Sequence, residues 1–368
     1  MNKMAKTINF DQIVKENAEN VKFVQILNEK GELVNNGLKS SLKDEEMVAL
    51  MKDLVWGRTV NKRLVLAGRQ GRIGNLPPSE GMEASQLATL FAIDKQDFLL
   101  PTYRDVIPLV KHGMPLSNAV LWYRGHVAGN HFPEDLQGLP AQTIIGSQML
   151  QAAGIGMAYN LDGEKKVAMT YIGDGGTSQG DFYEGINFAG AFDSPVVFIV
   201  QNNQYGISVP RDKQTKAKTL AQKAVAAGIP GIQVDGMDAL ALYEATKMAK
   251  DYALAGNGPV LIETLTYRYG PHTLSDDPTR YRPEGEVEDW QAKDCLIRMR
   301  KYLGDKGLWN EEMEQEVIDA TTQEVNEALD TADKAPKMKV SEMLESVYEV
   351  PTPRIAKEIA FYKEKEAN

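Results

Sequence analysis

The chain has 368 residues, 51 of them acidic and 41 basic, for a formal net charge of −10. That length allows a substantial core, and an acidic balance with no basic field to release counterions argues against nucleic acid as the main partner. A single cysteine, Cys295, excludes an intrachain disulfide framework and a multi-cysteine zinc site and fits a reducing, cytoplasmic setting, and no stretch reaches the ~18 apolar residues of a membrane span.

Residues 1–43 read as a polar leader with one short extended piece, FVQILNEKGELV, around a turn at Gly31. From 44 to about 67 apolar residues recur with helical period behind an acidic first turn, and a glycine follows. From about residue 80 the pattern alternates. GMEASQLATLFAI, RDVIPLVKHG and PLSNAVLWYRGH read as helices, DFLLPTY as a short apolar run, and residues 127–142 as a loop. GSQMLQAAGIGMAYNLDG is a helix built with small residues, and KKVAMTYIG, PVVFIVQ, IPGIQVDG and PVLIETLTYR read as strands. Apolar strands separated by helices predict an α/β fold with a doubly wound, mostly parallel sheet covered on both faces. Beyond a polar loop after Arg268, the chain becomes charged and helical, too polar for a core of its own, with Cys295 as a packing thiol. The expected division is a leader at 1–43, an α/β domain at 44–290 and a helical extension at 291–368.

The stretch GDGGTSQGDFYEGINFAGAFDSPVVFIVQNNQYG carries the chemistry. Asp174 follows one strand and Asn202–Asn203 follow the next, so Asp174 and Asn203, 29 residues apart, span one βαβ unit. If the two strands are neighbours, both polar groups reach the same sheet edge, where such folds bind ligands. A carboxylate, a carboxamide oxygen and a nearby backbone carbonyl form a hard-oxygen set suited to Mg²⁺ or Ca²⁺. Three protein oxygens leave about half of an octahedral Mg²⁺ shell to phosphate oxygens and water, so the site predicts a phosphorylated ligand. Gly173, Gly175 and Gly176 allow close backbone approach to it. Competing glycine-rich readings fail: Asp181 and Phe182 stand where a Walker loop needs lysine and serine or threonine, and Ser178 stands where a dinucleotide fingerprint needs its third glycine.

This spacing resembles the thiamine diphosphate motif, and further blocks extend the resemblance. TYRD at 102–105, IIGSQ at 144–148, QNNQYGIS, IQVDGMD and LTYRYGPHTLSDDPTRYR are similar to successive blocks of the alpha subunits of 2-oxoacid dehydrogenase first components. The resemblance implies a thiamine diphosphate-binding fold, with Asp174, Asn203 and the carbonyl of Tyr205 as Mg²⁺ ligands. It implies that the backbone of Gly175 and Gly176 and the side chains of Tyr103 and Arg104 hold the diphosphate. Ile145 matches the residue whose backbone touches the aminopyrimidine, and His272 the histidine of the active-site loop. Asp276, Asp277, Arg280 and Arg282 are expected to order that loop over the cofactor, whereas His112, His126 and His131 have no expected role. The chain departs from the family pattern at Pro77, where some members carry a histidine that contacts the keto acid. The resemblance further implies a beta subunit that completes the site in a two-alpha, two-beta heterotetramer, and a dihydrolipoyl acyltransferase whose lipoyl domain accepts the acyl group. Pyruvate is the expected 2-oxoacid, with a branched-chain 2-oxoacid or acetoin dehydrogenase as the alternative. A non-catalytic assembly subunit is disfavoured by the retained Asp174, Asn203 and His272.

Overall fold

The computed structural model describes residues 21–34 and 37–367; the first twenty residues of the expected leader lie outside them. Strands β1 (Phe23–Val24), β2 (Phe98–Leu100), β3 (Ala168–Gly173), β4 (Val196–Asn202), β7 (Gly231–Asp235) and β8 (Val260–Leu265) form a sheet in the order β1-β7-β8-β4-β3-β2. Every neighbouring pair in it is parallel. β5 (Tyr205–Gly206) and β6 (Val209–Pro210) make a separate antiparallel ribbon beyond the end of β4.

The central strand, VVFIVQN, is buried along its whole length, as β-branched and aromatic residues in a sheet covered on both faces should be. Its side chains alternate between the two faces. Val197 and Ile199 join Met169 and Tyr171 in one core cluster, while Val196, Phe198 and Val200 join Ala168 and Ile172 in the other. Parallel neighbours need a crossover, and the Gly180–Ala191 helix supplies it between β3 and β4. That helix lies so close to the Ser147–Asp162 helix that a Cβ at Gly185 would come within 2.6 Å of the Met149 Cβ.

The first described residues are tied into this sheet, and the helices after residue 294 pack onto its flanking core. The extended piece expected in the leader supplies edge strand β1, with Phe23 opposite Gln233. One carboxylate oxygen of buried Asp238 accepts from the backbone N–H of Ile26 (2.5 Å) and Leu27 (2.6 Å). The Cys295–Asp305 and Glu311–Asp333 helices bury Cys295, Met299, Val325 and Leu329 in the same cluster as Leu50 and Leu54 of the Asp44–Arg69 helix. Buried Arg298 reaches Asp235 at the end of β7 (2.7 Å) and the Leu27 carbonyl (3.1 Å). Among the described residues, no helix is long and apolar enough to cross a membrane.

Candidate functional site

Parallel pairing places Gly173 opposite Gln201, so the chain leaves β3 and β4 side by side at one sheet edge. Asp174 begins a tight turn there, with the N–H and hydroxyl of Thr177 donating to its carbonyl at 3.1 and 2.7 Å. Asn203 begins the β4–β5 turn, its side-chain oxygen accepting from the Tyr205 N–H at 3.3 Å. Asp174 is 2% and Asn203 6% exposed, yet both line one cavity of ≈ 510 Å³. Gly175, Gly176, Tyr205, Tyr103, Arg104, Ile145 and His272 line the same cavity, so residues drawn from five segments of the sequence meet at one place. Pro77 is not among its lining residues.

The turn at 102–105 presents Tyr103 and Arg104 because Asp105 holds it from below. Its carboxylate accepts from the Thr102 N–H (3.1 Å) and hydroxyl (2.5 Å), from Gln86 (2.8 Å) and from Gln201 of β4 (2.8 Å). The Arg104 guanidinium donates to the Pro78 carbonyl (2.6 Å), the His272 carbonyl (3.1 Å) and His272 Nδ1 (3.0 Å). Arginine has only donors, so Nδ1 accepts and a neutral His272 ring carries its proton on Nε2. Burial, then the charges of Arg104 and Arg268, push the imidazole down to about 4, so it is neutral at pH 7.

His272 sits in a loop held by side chains and not by a strand ladder. Arg282 donates to the carbonyls of Tyr269 (2.9 Å), Arg268 (2.7 Å) and Gly270 (2.8 Å) and lies over the rings of Tyr205, Tyr267 and Tyr281. Asp276 accepts from the His272 N–H and the Tyr281 hydroxyl, each at 2.6 Å. Of the four charged residues expected to order the loop, Asp276 and Arg282 do so. Asp277 caps the short Pro278–Arg280 turn instead, and Arg280 is exposed.

The family model of the dehydrogenase E1 component matches residues 51–341, a span that contains every side chain of the cavity. The chain belongs to this family. It is 53% identical over 361 residues to the pyruvate dehydrogenase E1 component subunit alpha of Staphylococcus aureus, covering 97% of this chain and 98% of that one. The subunits of the same name from Bacillus cereus and Staphylococcus epidermidis are each 51% identical, over 367 and 357 residues. The Bacillus match covers 99% of both chains, and the Staphylococcus epidermidis match covers 97% of this chain and 96% of its relative.

For a diphosphate-bearing cofactor of an E1 component, the cradle fits. A Cβ at Gly176 would come within 2.6 Å of Ile172 and 2.7 Å of Ile145, and one at Gly175 within 3.1 Å of the Gly206 Cα. A side chain would force its neighbours to move at Gly176 and would be crowded at Gly175, and both residues border the cavity with bare backbone. Among the described residues, no three His, Cys, Asp or Glu side chains gather around a metal position. A cation at this edge would therefore depend on a single carboxylate, neutral oxygens and its ligand. Burial pushes the Asp174 carboxyl up to about 6, a hydrogen bond from Gln214 and the charge of Arg268 opposing it.

Three residues of the site have roles that the sequence alone did not assign. Gln214 donates to Asp174 (2.9 Å) from beyond the β5–β6 ribbon. Arg268, fully buried, donates to the Ile207 (2.9 Å) and Gly270 (2.9 Å) carbonyls. It thereby pins a turn in which Gln204 and Ile207 adopt positive φ of 75° and 61°, a strained choice for a β-branched residue. Asp105 was legible as part of TYRD, but not as the hub joining that turn to β4.

Proposed function

We propose that this chain is the alpha subunit of a cytoplasmic pyruvate dehydrogenase (acetyl-transferring). With a beta subunit, in a two-alpha, two-beta assembly, it decarboxylates pyruvate on thiamine diphosphate and Mg²⁺ and reductively acetylates the lipoyl group of the dihydrolipoyl acyltransferase. The observation that carries this reading is the β3–β4 register, which brings Asp174 and Asn203 to one edge of a cavity also lined by Tyr103, Arg104 and His272. Pyruvate as substrate is supported by the names of relatives 51% and 53% identical over nearly their whole lengths.

In this reading Asp174, the Asn203 carboxamide and the Tyr205 carbonyl hold Mg²⁺. The Gly175–Gly176 backbone, Tyr103 and Arg104 hold the diphosphate, Arg104 through a planar fork suited to phosphate oxygens. The backbone of Ile145 borders the aminopyrimidine. When bound, thiamine diphosphate supplies the electron sink for loss of carbon dioxide from a 2-oxoacid. His272, neutral and with its proton on Nε2, offers a hydrogen-bond donor while Arg104 fixes the ring from the other nitrogen. The loop carrying it excludes water from the reacting face. The beta subunit completes the site.

The experiment is ferricyanide-linked decarboxylation by the co-expressed alpha and beta chains. Pyruvate should turn over faster than 3-methyl-2-oxobutanoate, and only with thiamine diphosphate and Mg²⁺ added. The opposite preference would make the chain a branched-chain subunit, and no turnover of either by a correctly assembled complex would overturn the reading.

A further inference from the structure

Bonded to the Asp174 turn, and not among the residues that line the cavity, is a buried lysine for which the function described above has no use. Lys223, 7% exposed, extends from the short helix Ala221–Ala227 and donates to the Thr177 carbonyl (2.7 Å) and hydroxyl (3.0 Å). Its ammonium lies 5.3 Å from the ring centre of Tyr183 and 5.7 Å from that of Phe182. Burial pushes it down to about 8, opposed by the charge of Glu263. A cation so placed, with neutral acceptors at contact distance, destabilises the empty fold. Thr177 is the next residue after Gly176 and donates to the Asp174 carbonyl, so whatever fixes Thr177 fixes the turn between them.

The start of that helix, two residues before Lys223, is held by a second buried group. The buried carboxylate of Glu263, in β8, accepts from the N–H groups of Leu220 (2.8 Å) and Ala221 (3.0 Å) and from the Asn202 side chain (2.7 Å). One short segment thus bonds the turn after β3 directly and reaches the last residue of β4, Asn202, through Glu263.

Resting on the reading that this edge holds a Mg²⁺–diphosphate, we propose that Lys223 is its positioning residue. It locks the Gly175–Ser178 turn through Thr177 and supplies positive charge that the bound anion compensates. The design predicts opposite effects on binding and on stability, which a purely structural lysine would not give.

The test uses the alpha–beta assembly with wild type, Lys223→Met and Lys223→Arg. Thiamine diphosphate is titrated with Mg²⁺ by calorimetry, and the cofactor-free assemblies are melted in parallel. Loss of a charge-assisted hydrogen bond and its field should weaken cofactor binding by about tenfold or more in Lys223→Met, with Lys223→Arg recovering most of it. The cofactor-free melting temperature of Lys223→Met should be unchanged or higher. Equal affinity in Lys223→Met and wild type overturns the inference, and so does weaker binding that comes with a lower cofactor-free melting temperature and no rescue by Lys223→Arg. If Lys223→Met does not assemble, Lys223→Gln takes its place. A wild-type assembly that fails to bind the cofactor overturns the underlying reading instead.

Discussion

The β3–β4 edge and the loop 270–282 face the same cavity but are held there by different forces. Asp174 and Asn203 leave strands whose backbones are paired in one ladder and whose side chains feed two buried clusters, so displacing them requires opening the sheet. His272 rests on Arg282 and Arg268 bonded to carbonyls, on Asp276 and on a group of tyrosine rings, with no strand partner. The first arrangement is expected to open only near the free energy of global unfolding, and the second locally. The proposed cation site calls for the former, and the role proposed for the loop calls for the latter.

The sharpest way to break the contrast is at the strand end. Asp174→Asn should weaken Mg²⁺-dependent cofactor binding by more than about a hundredfold, since even partners one step removed from a metal are worth about 10–100-fold. Its cofactor-free melting temperature should be unchanged or higher, because a buried carboxyl held near 6 is a destabilising charge at pH 7. Calorimetry and thermal melts on the assembly read both. The loop should respond in the other sense. Arg282→Ala removes three carbonyl contacts and should lower kcat by about tenfold while changing cofactor affinity by less than about threefold. Faster amide exchange confined to 269–282 would accompany it, and exchange spreading into β3 or β4 would show the two regions to be one unit.

Acid should separate them again, with a smaller effect. The Asp174 carboxyl, raised to about 6, must lose its proton to hold a cation, so binding should weaken as pH falls through 6, by about tenfold per unit below it. His272 is shifted in the other direction and responds at lower pH: its folded value of about 4 lies below its usual 6.5, so the closed loop is fully favoured above 6.5 and loses stability as pH falls toward 4. An imidazole resonance that titrates near 6.5 would contradict the Arg104 contact. The smallest effect belongs to Cys295, buried in the core shared by the C-terminal helices and the Asp44–Arg69 helix. Cys295→Ala should lower stability by ~1 kcal/mol in a denaturant melt and leave turnover unchanged.

How much of this was legible depends on the range of the interactions. VVFIVQ and KKVAMTYIG announce buried strands by composition, and the acid and amide that follow them are local signals at a βαβ spacing. The parallel order with β3 beside β4 is the step that turned two motifs into one cavity. Residues that reach the site across the fold gave no such signal. Lys223 sits in TLAQKAVAAG, where it reads as an ordinary exposed helix cation, and only the folded chain brings Thr177 to it. Gln214 and Arg268 likewise act on partners fixed by tertiary packing. Phe23–Val24 looked like leader because its sheet partner lies some 210 residues away at Gln233. The charged periodicity of 311–333 marked a helix but not the Asp44–Arg69 surface it packs on.

The central claim is that one divalent cation joins the ends of β3 and β4. Anomalous diffraction from crystals of the alpha–beta assembly soaked with thiamine diphosphate and Mn²⁺ tests it directly. The account predicts a single peak in this cavity, at bonding distance from an Asp174 carboxylate oxygen, the Asn203 carboxamide oxygen and the Tyr205 carbonyl, with Gln214 displaced from Asp174. Bound cofactor with no peak at that point, or a peak coordinated by other side chains, would contradict it.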